Sequence, residues 1–166
     1  MYIFLSDSFY EEKYFDSIVN SLDRHKPIGG LWVSKKFNNK KHYISYWQGF
    51  CISEGFNTHR CTHSTELKIK DTARIYRINS YDDYDSLVAK FKQDIPDRLK
   101  GIMYFNNKLD YEALSKHYDV LELTESGVIN TRRNFYRLEL YGWDIPSSVI
   151  LNKDVIIPVR FNKLRI

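Results

Sequence analysis

The sequence predicts an α+β fold formed by a single domain spanning residues 1–166. Segments with helical spacing and short alternating segments are mixed in the first two thirds, whereas the last third is mainly alternating. The chain has 166 residues, 43% of them hydrophobic, which suits one buried core better than two. It contains no repeat, low-complexity tract or linker that would divide it.

In the first third of the chain, the pattern predicts two strands and two helices. Tyr2–Ser6 is expected to be a strand, and apolar residues at helical spacing predict a helix from Glu11 to Leu22. This helix should end before Pro27. Leu31–Ser34 then reads as a short strand, followed by a polar loop and a second helix over His42–Glu54.

The rest of the chain predicts short elements that end in a β-rich region. Helices are expected after the cap residues Ser80 and Asp110. Because Pro158 has no N–H to donate, the last strand should be an edge strand or contain a bulge. The predicted strands are Thr65–Ile69, Arg74–Ile78, Gly101–Phe105, Val120–Leu123, Tyr136–Leu140, Val149–Leu151 and Val155–Phe161.

Composition and charge narrow the class of protein. The net charge is +4, and the densest basic run, Lys35, Lys36, Lys40 and Lys41, is more typical of a solvated loop than of a polyanion site. No segment approaches the roughly 20 apolar residues of a membrane helix, so we expect no membrane association. The chain has only two cysteines and no signal-peptide pattern, so we expect reduced thiols and a cytoplasmic location.

One cluster contains good metal-ligand residue types. His59, Cys61 and His63 alternate, and in a strand all three would face one side. No second pair lies at metal-like spacing, so a polar loop or the start of a strand is the better interpretation, and we expect no metal. Common nucleophile, phosphate-loop and zinc-protease motifs are also absent from the sequence.

Two segments could form a ligand pocket. In Gly29–Ser34, glycine allows a close backbone approach and Ser34 can bond an amide or a ribose, while Tyr46 downstream can stack on a flat ring. The second segment is Tyr141–Asp144, in which the carboxylate of Asp144 follows Trp143 and could polarise a ribose hydroxyl. Ordinary core packing and a tight turn are the respective alternatives.

The first segment, with Ser45 and Tyr46, resembles the nicotinamide-binding segment of ADP-ribosyltransferases of the diphtheria-toxin and poly(ADP-ribose)-polymerase type. That resemblance implies a split mixed or antiparallel sheet with flanking helices, and NAD as substrate. Residues 148–159 resemble the last two strands of the same fold. The resemblance and the pocket pattern together predict a cofactor-binding set of Gly30, Trp32, Ser34, Tyr46 and Trp143.

The chain departs from this family at two positions. Its first strand has no histidine or arginine to hold the NAD ribose, and Ser148 stands near the position of the family's glutamate. Serine cannot supply a carboxylate, so Asp144 is the first choice for that role and Glu122 the second. Over most of its length the chain also resembles uncharacterised phage and bacterial proteins, in the blocks Lys26–Ser34, His117–Asp119 and Tyr141–Ser148.

These observations lead to a functional hypothesis and an alternative. We expect a protein that binds NAD or a related nucleotide, in the form of a phage-encoded mono-ADP-ribosyltransferase acting on a host protein or nucleic acid in the host cytoplasm. The alternative is a non-catalytic phage-type protein that docks on and inhibits a host defence protein. Single-stranded nucleic acid at Lys35–Lys41 is a weaker possibility. Trp32, Tyr46 and Trp143 in one cleft would favour the nucleotide, and exposed tyrosines would favour the partner.

Overall fold

The computed structural model describes residues 1–37, 43–132, 140 and 142–164. The fold is α+β, as predicted, with one mixed sheet and flanking helices. The helices are α1 (Tyr46–Ser53), α2 (Tyr81–Phe91), α3 (Tyr111–Ser115) and α4 (Glu125–Arg132). The strands are β1 (Tyr2–Ser6), β2 (Asp16–Val19), β3 (Ile28–Lys35), β4 (His63–Ile69), β5 (Ile75–Ile78), β6 (Val120–Leu123), β7 (Ser147–Ile150) and β8 (Ile156–Lys163).

The sheet has the strand order β5-β6-β7-β3-β1-β4-β8, with β2 paired to β3. Among the strands that the structure describes, β5 and β6 form the one parallel pair, and every other pairing is antiparallel. β7 therefore lies inside the sheet and joins the β5-β6 pair to β3. This arrangement brings the segment before β7 beside the end of β3.

Both faces of the sheet are buried in the region around β3, β6 and β7. Alternate residues of a strand point to opposite faces, so each strand contributes to two hydrophobic clusters. One cluster packs against α2 and α3 and includes Ile78, Leu87, Leu114, Leu121 and Val149. The other packs against the segment after β1 and includes Tyr2, Leu31, Leu67, Val120 and Ile150. The predicted caps are confirmed: Ser80 forms a capping box with Asp83, and Asp110 accepts a hydrogen bond from Ala113 N.

The helix predicted over Glu11–Leu22 is wrong. A 3-10 turn occupies Glu12–Tyr14, and β2 then pairs with β3. Part of the predicted apolar stripe is still buried, because Phe15 packs against one cluster and Ile18 against the other, whereas Val19 is exposed. β-branched residues such as Ile18 fit a strand well, and the sheet partner decides the conformation. A Cβ on Gly29 would lie 2.1 Å from Ser17 O, so glycine permits this strand pairing.

Two other elements differ from the predictions. The strand predicted at Gly101–Phe105 is wrong: Met103–Phe105 form a 3-10 turn, with Met103 54% exposed and thus without a buried face. α1 begins at Tyr46 because the Ser45 hydroxyl accepts a hydrogen bond from Gln48 N, which caps the helix. The predicted strand around Tyr136 and Leu138 lies outside the described residues. Within the described chain, no helix combines the length and apolar character needed to span a bilayer.

Candidate functional site

A cavity of about 510 Å³ lies between β3, α1 and the segment before β7. We call it the aromatic pocket, because four large aromatic side chains line it together with three aliphatic ones. Its remaining lining is polar and includes carboxylates, a lysine and two serines. The apolar lining residues are Ile3, Trp32, Val33, Trp47, Phe50, Phe56 and Ile145, and the polar ones are Lys26, Ser34, Glu54, Asp144 and Ser147.

Helix α1 provides one flat wall of the aromatic pocket. Trp47 and Phe50 are three residues apart, so they share a helix face, and their rings stack with centroids 5.6 Å apart. Phe56, just beyond the helix, meets Trp47 edge to face with centroids 6.0 Å apart. Phe56 is 48% exposed although it is a large apolar residue. These rings present stacking surface to the cavity.

Strand β3 provides the opposite wall through Trp32. The Trp143 ring supports it from behind, edge to face at 4.8 Å, and Trp143 is only 3% exposed. The Lys26 ammonium lies 5.0 Å from the centroid of the Trp32 ring, a cation–π distance. Trp32 is therefore held between a buried aromatic ring and a cation, which fixes its orientation toward the cavity.

The charges of the aromatic pocket come from Lys26, Glu54 and Asp144. Burial lowers the pKa of Lys26, and the negative charge of Asp144 acts in the opposite direction. Both carboxylates are on exposed residues, so they lie at the rim of the cavity, whereas Lys26 is half-buried. Among the described lining residues, two negative charges thus face one positive charge.

Ser34 holds together the three segments that form the aromatic pocket. Its hydroxyl accepts a hydrogen bond from Trp47 N at 3.3 Å and donates one to Pro146 O at 3.5 Å. The residue is 1% exposed. Ser34 therefore positions α1 and the segment before β7 relative to β3, a role that the strand pattern does not reveal.

Tyr46 belongs to a second cavity, which we call the polar pocket. This cavity of about 400 Å³ is lined by Lys35, Lys36, Tyr46, Glu122, Thr124 and Ser148, among others. The Tyr46 ring meets Phe37 edge to face with centroids 4.6 Å apart. One step along a helix rotates a side chain by about 100°, so Trp47 and Tyr46 face different cavities. Ser147 lines both pockets.

Glu122 is held in a buried charged network beside the polar pocket. It is 2% exposed, its Oε2 accepts a hydrogen bond from the Tyr2 hydroxyl at 3.0 Å, and Arg77 Nε lies 3.5 Å from the same oxygen. Lys35 forms an ion pair with Oε1. Burial, followed by the charge of Glu122, raises the pKa of Tyr2. Glu122 thus contacts two cations and one phenol and lies outside the aromatic pocket.

Gly30 lies at the junction of β2, β3 and β7 rather than in either pocket. Its φ is +68°, and a Cβ would come within 2.8 Å of Ile150 O and of the Val149 side chain. Glycine therefore allows β7 to approach β3 closely. This close approach is a packing function, and it indirectly places Trp32 two residues later.

The structure brings together some of the predicted site residues and separates others. Trp32, Ser34 and Asp144 line the aromatic pocket, Trp143 supports it from behind, and Tyr46 and Glu122 line the polar pocket. Sequence reasoning missed Lys26, Trp47, Phe50, Glu54 and Phe56 as lining residues. The shared helical face of Trp47 and Phe50 was the available signal, but it reads equally well as core.

The region around His59 and His63 has no metal-like arrangement. His59 lies in a 3-10 turn over Thr58–Arg60, and Cys61 after it is 1% exposed. Across the described ranges, no group of three or more histidine, cysteine or acidic residues is close enough to hold a metal ion. Cys51 and Cys61 are free thiols, and burial raises the pKa of Cys51 to about 12.

Comparison of the chain with protein-family models, with curated proteins and with solved structures gives no match.

Proposed function

We propose that this protein binds NAD or a related nucleotide in the aromatic pocket and is an ADP-ribosyltransferase-like protein. The supporting observation is that Trp32, Trp47 and Asp144 line one cavity of about 510 Å³. Small-molecule sites occupy roughly 300–1,000 Å³ and combine apolar walls with a few polar groups. The aromatic pocket meets both criteria.

The walls of the aromatic pocket suit a flat, positively charged ring. Trp47 and Phe50 offer stacked faces, and an aromatic face attracts a cation. The described lining carries two carboxylates and one lysine, so its net negative charge also attracts a cation. The oxidised nicotinamide ring is flat and cationic, so stacking and charge both favour it over a neutral ring of the same shape.

Of the two candidate carboxylates, Asp144 is the better placed. It lines the aromatic pocket, whereas Glu122 lines the polar pocket. If the bond between nicotinamide and ribose breaks, positive charge develops on the ribose, and a fixed carboxylate stabilises it. We therefore assign that role to Asp144.

The distribution of tyrosines favours a pocket over a flat docking surface made of tyrosine. Within the described residues, every tyrosine is buried or half-buried. Several of them are anchored by hydroxyl hydrogen bonds, such as Tyr84 to Asn107 O and Tyr111 to His25 O. The high tyrosine content therefore reflects packing of the core and its boundary.

Tryptophan fluorescence tests nucleotide binding directly. Two of the three tryptophans line the aromatic pocket, so titration with NAD should quench the emission, and isothermal titration should give heat. Trp47→Leu should abolish the binding heat. Trp143→Phe, which removes a tryptophan behind the wall, should leave a quenching response from the other two. No heat and no thermal shift at millimolar NAD would exclude this function.

Transfer of ADP-ribose to a protein is tested separately from the binding of NAD. Lysate proteins incubated with isotope-labelled NAD should gain the mass of ADP-ribose with the wild-type protein but not with Asp144→Asn. The matched control is Asp97→Asn, an exposed carboxylate that does not line the pocket. NAD binding without any mass gain would leave a nucleotide-binding protein and remove the transferase assignment.

A further inference from the structure

Strand β8 forms one end of the sheet. It pairs with β4 over His63–Ile69, and no other described strand lies on its outer side. An edge strand offers unpaired backbone N–H and C=O groups, which can pair with another extended chain. Pro158 has no N–H, and Val159 lies in a bulge between the pairs formed by Pro158 and Arg160. A regular outer edge therefore begins after Val159.

The side chains of this edge are unusually apolar for a solvent-exposed strand. Val159 is 52% exposed, Phe161 is 51% exposed and Ile157 is 37% exposed. Phe161 extends onto the ring of Phe9, with centroids 5.5 Å apart. Because the bulge shifts the alternation, Phe161 shares the face of its partner Thr65, whereas Ile157 shares the opposite face with its partner Lys68. Exposed apolar side chains therefore lie on both faces of the sheet beside the open edge.

The charge of the edge is positive. β8 contains Arg160 and Lys163 and no acidic residue. On the neighbouring strand, Lys68 is exposed, while Glu66 is buried and bonded to Lys36. The exposed apolar side chains of β8 therefore lie beside cations at an edge of the sheet, a combination that complements an acidic partner.

We propose that β8 is a docking edge for an extended, acidic segment of another protein, which adds a strand to the sheet. Backbone hydrogen bonds along residues 160–163 would provide affinity, and Val159 and Phe161 would contact apolar side chains of the segment. A second copy of this chain fits less well. Two β8 edges paired antiparallel about their regular part would place Arg160 and Lys163 beside the same cations, and like charges opposite each other are unfavourable.

Peptide selection on the immobilised full-length protein tests this proposal. A random peptide library should yield sequences in which apolar residues alternate with aspartate or glutamate. A fluorescein-labelled peptide from this selection should then lose at least about tenfold in affinity for Arg160→Glu and for Val159→Glu. Ile129→Glu, a matched change at an exposed apolar residue on α4, should leave affinity unchanged.

Backbone methylation distinguishes strand addition from side-chain contact alone. In a paired edge strand, alternate N–H groups face the partner, so methylating one alternate set should abolish binding and methylating the other should not. Enriched peptides without acidic residues, equal affinity for the β8 variants, or equal effects of both methylation sets would overturn the proposal. So would a concentration-dependent dimer that Arg160→Glu strengthens, because the occupant would then be a second copy.

Discussion

The guanidinium of Arg74 contacts both carboxylate oxygens of Asp119, with Nε 3.1 Å from Oδ2 and Nη2 3.0 Å from Oδ1. Asp119 also accepts hydrogen bonds from Arg74 N and from the Asn152 side chain. Its side chain is only 7% exposed. One carboxylate thus connects the chain before β5, the chain before β6 and the chain after β7.

Removal of this carboxylate should destabilise the fold. We expect Asp119→Ala to lower the free energy of unfolding by about 2–3 kcal/mol, because it leaves several donors without their acceptor. Urea unfolding measures the change. The control is Asp97→Ala, which breaks the fully exposed pair with Lys100 and should cost less than about 1 kcal/mol. Equal losses in the two variants would contradict the role assigned to Asp119.

The same carboxylate should make stability depend on pH in the acid range. Hydrogen bonds from Arg74 hold the pKa of Asp119 well below its usual range. A lowered folded-state pKa adds stability above the unfolded value of about 3.9, and that stability is lost as pH falls below it. Asp119→Asn should therefore lose less stability than the wild type between pH 4 and the lower limit of the titration, about pH 2. Parallel urea titrations measure the difference.

His25 should make the free energy of unfolding depend on pH over a higher range than Asp119 does. Burial, with a contribution from the charge of Lys108, lowers the pKa of His25 to about 4. Since the unfolded value is about 6.5, the unfolded chain binds more protons between these limits, and the fold should lose up to about 3 kcal/mol on acidification. His25→Gln should flatten the stability profile between pH 6.5 and about 4. An unchanged slope in that variant would show that His25 is not responsible.

Gly30 and Gly55 offer a matched pair for testing close packing. Both have positive φ, +68° and +63°, but only at Gly30 would a Cβ meet neighbouring atoms, at 2.8 Å. We expect Gly55→Ala to cost about 1–2 kcal/mol from backbone strain alone. Gly30→Ala should cost at least about 2 kcal/mol more, because β7 must move away from β3. Thermal unfolding compares them directly.

Glu122 should affect stability rather than nucleotide binding. Glu122→Gln removes the negative charge that Lys35 and Arg77 face, but both cations are about half-exposed and stay solvated, so we expect a loss of about 1 kcal/mol. NAD affinity should be unchanged, because Glu122 does not line the aromatic pocket. Urea unfolding and a fluorescence titration on the same variant measure both quantities. A specific loss of NAD affinity without a loss of stability would place the nucleotide in the polar pocket.

Most of the predicted elements with clear caps or clear alternation are present in the structure. Ser80 and Asp110 cap α2 and α3 as predicted, because a side-chain oxygen bonded to a helix N–H is a local interaction. The helix predicted from Glu11 was wrong for the opposite reason. Its apolar spacing fits a helix, but the pairing of β2 with β3 is a long-range interaction that periodicity does not detect.

α4 was not predicted because its sequence has little amphipathic character and contains Gly127. That glycine is required by packing, since a Cβ would lie 2.1 Å from Ile78 O. Thr124, whose hydroxyl accepts a hydrogen bond from Gly127 N, was the local signal that could have located the helix start. The residues of the aromatic pocket also depend on tertiary contacts. The rotation of α1 about its own axis decides that Trp47, rather than Tyr46, lines the same cavity as Trp32.

The position of β7 inside the sheet has a consequence for the order in which this chain folds. β1, β3 and β4 can pair as soon as the first 69 residues have left the ribosome, and β5, α2 and β6 complete a second unit by residue 123. The strand that joins them, Ser147–Ile150, is synthesised afterwards. We therefore expect the two halves of the sheet to join only after β7 has been synthesised. Non-local closure of this kind slows folding, and both pockets, which share Ser147 as a lining residue, are complete only when this segment is in place.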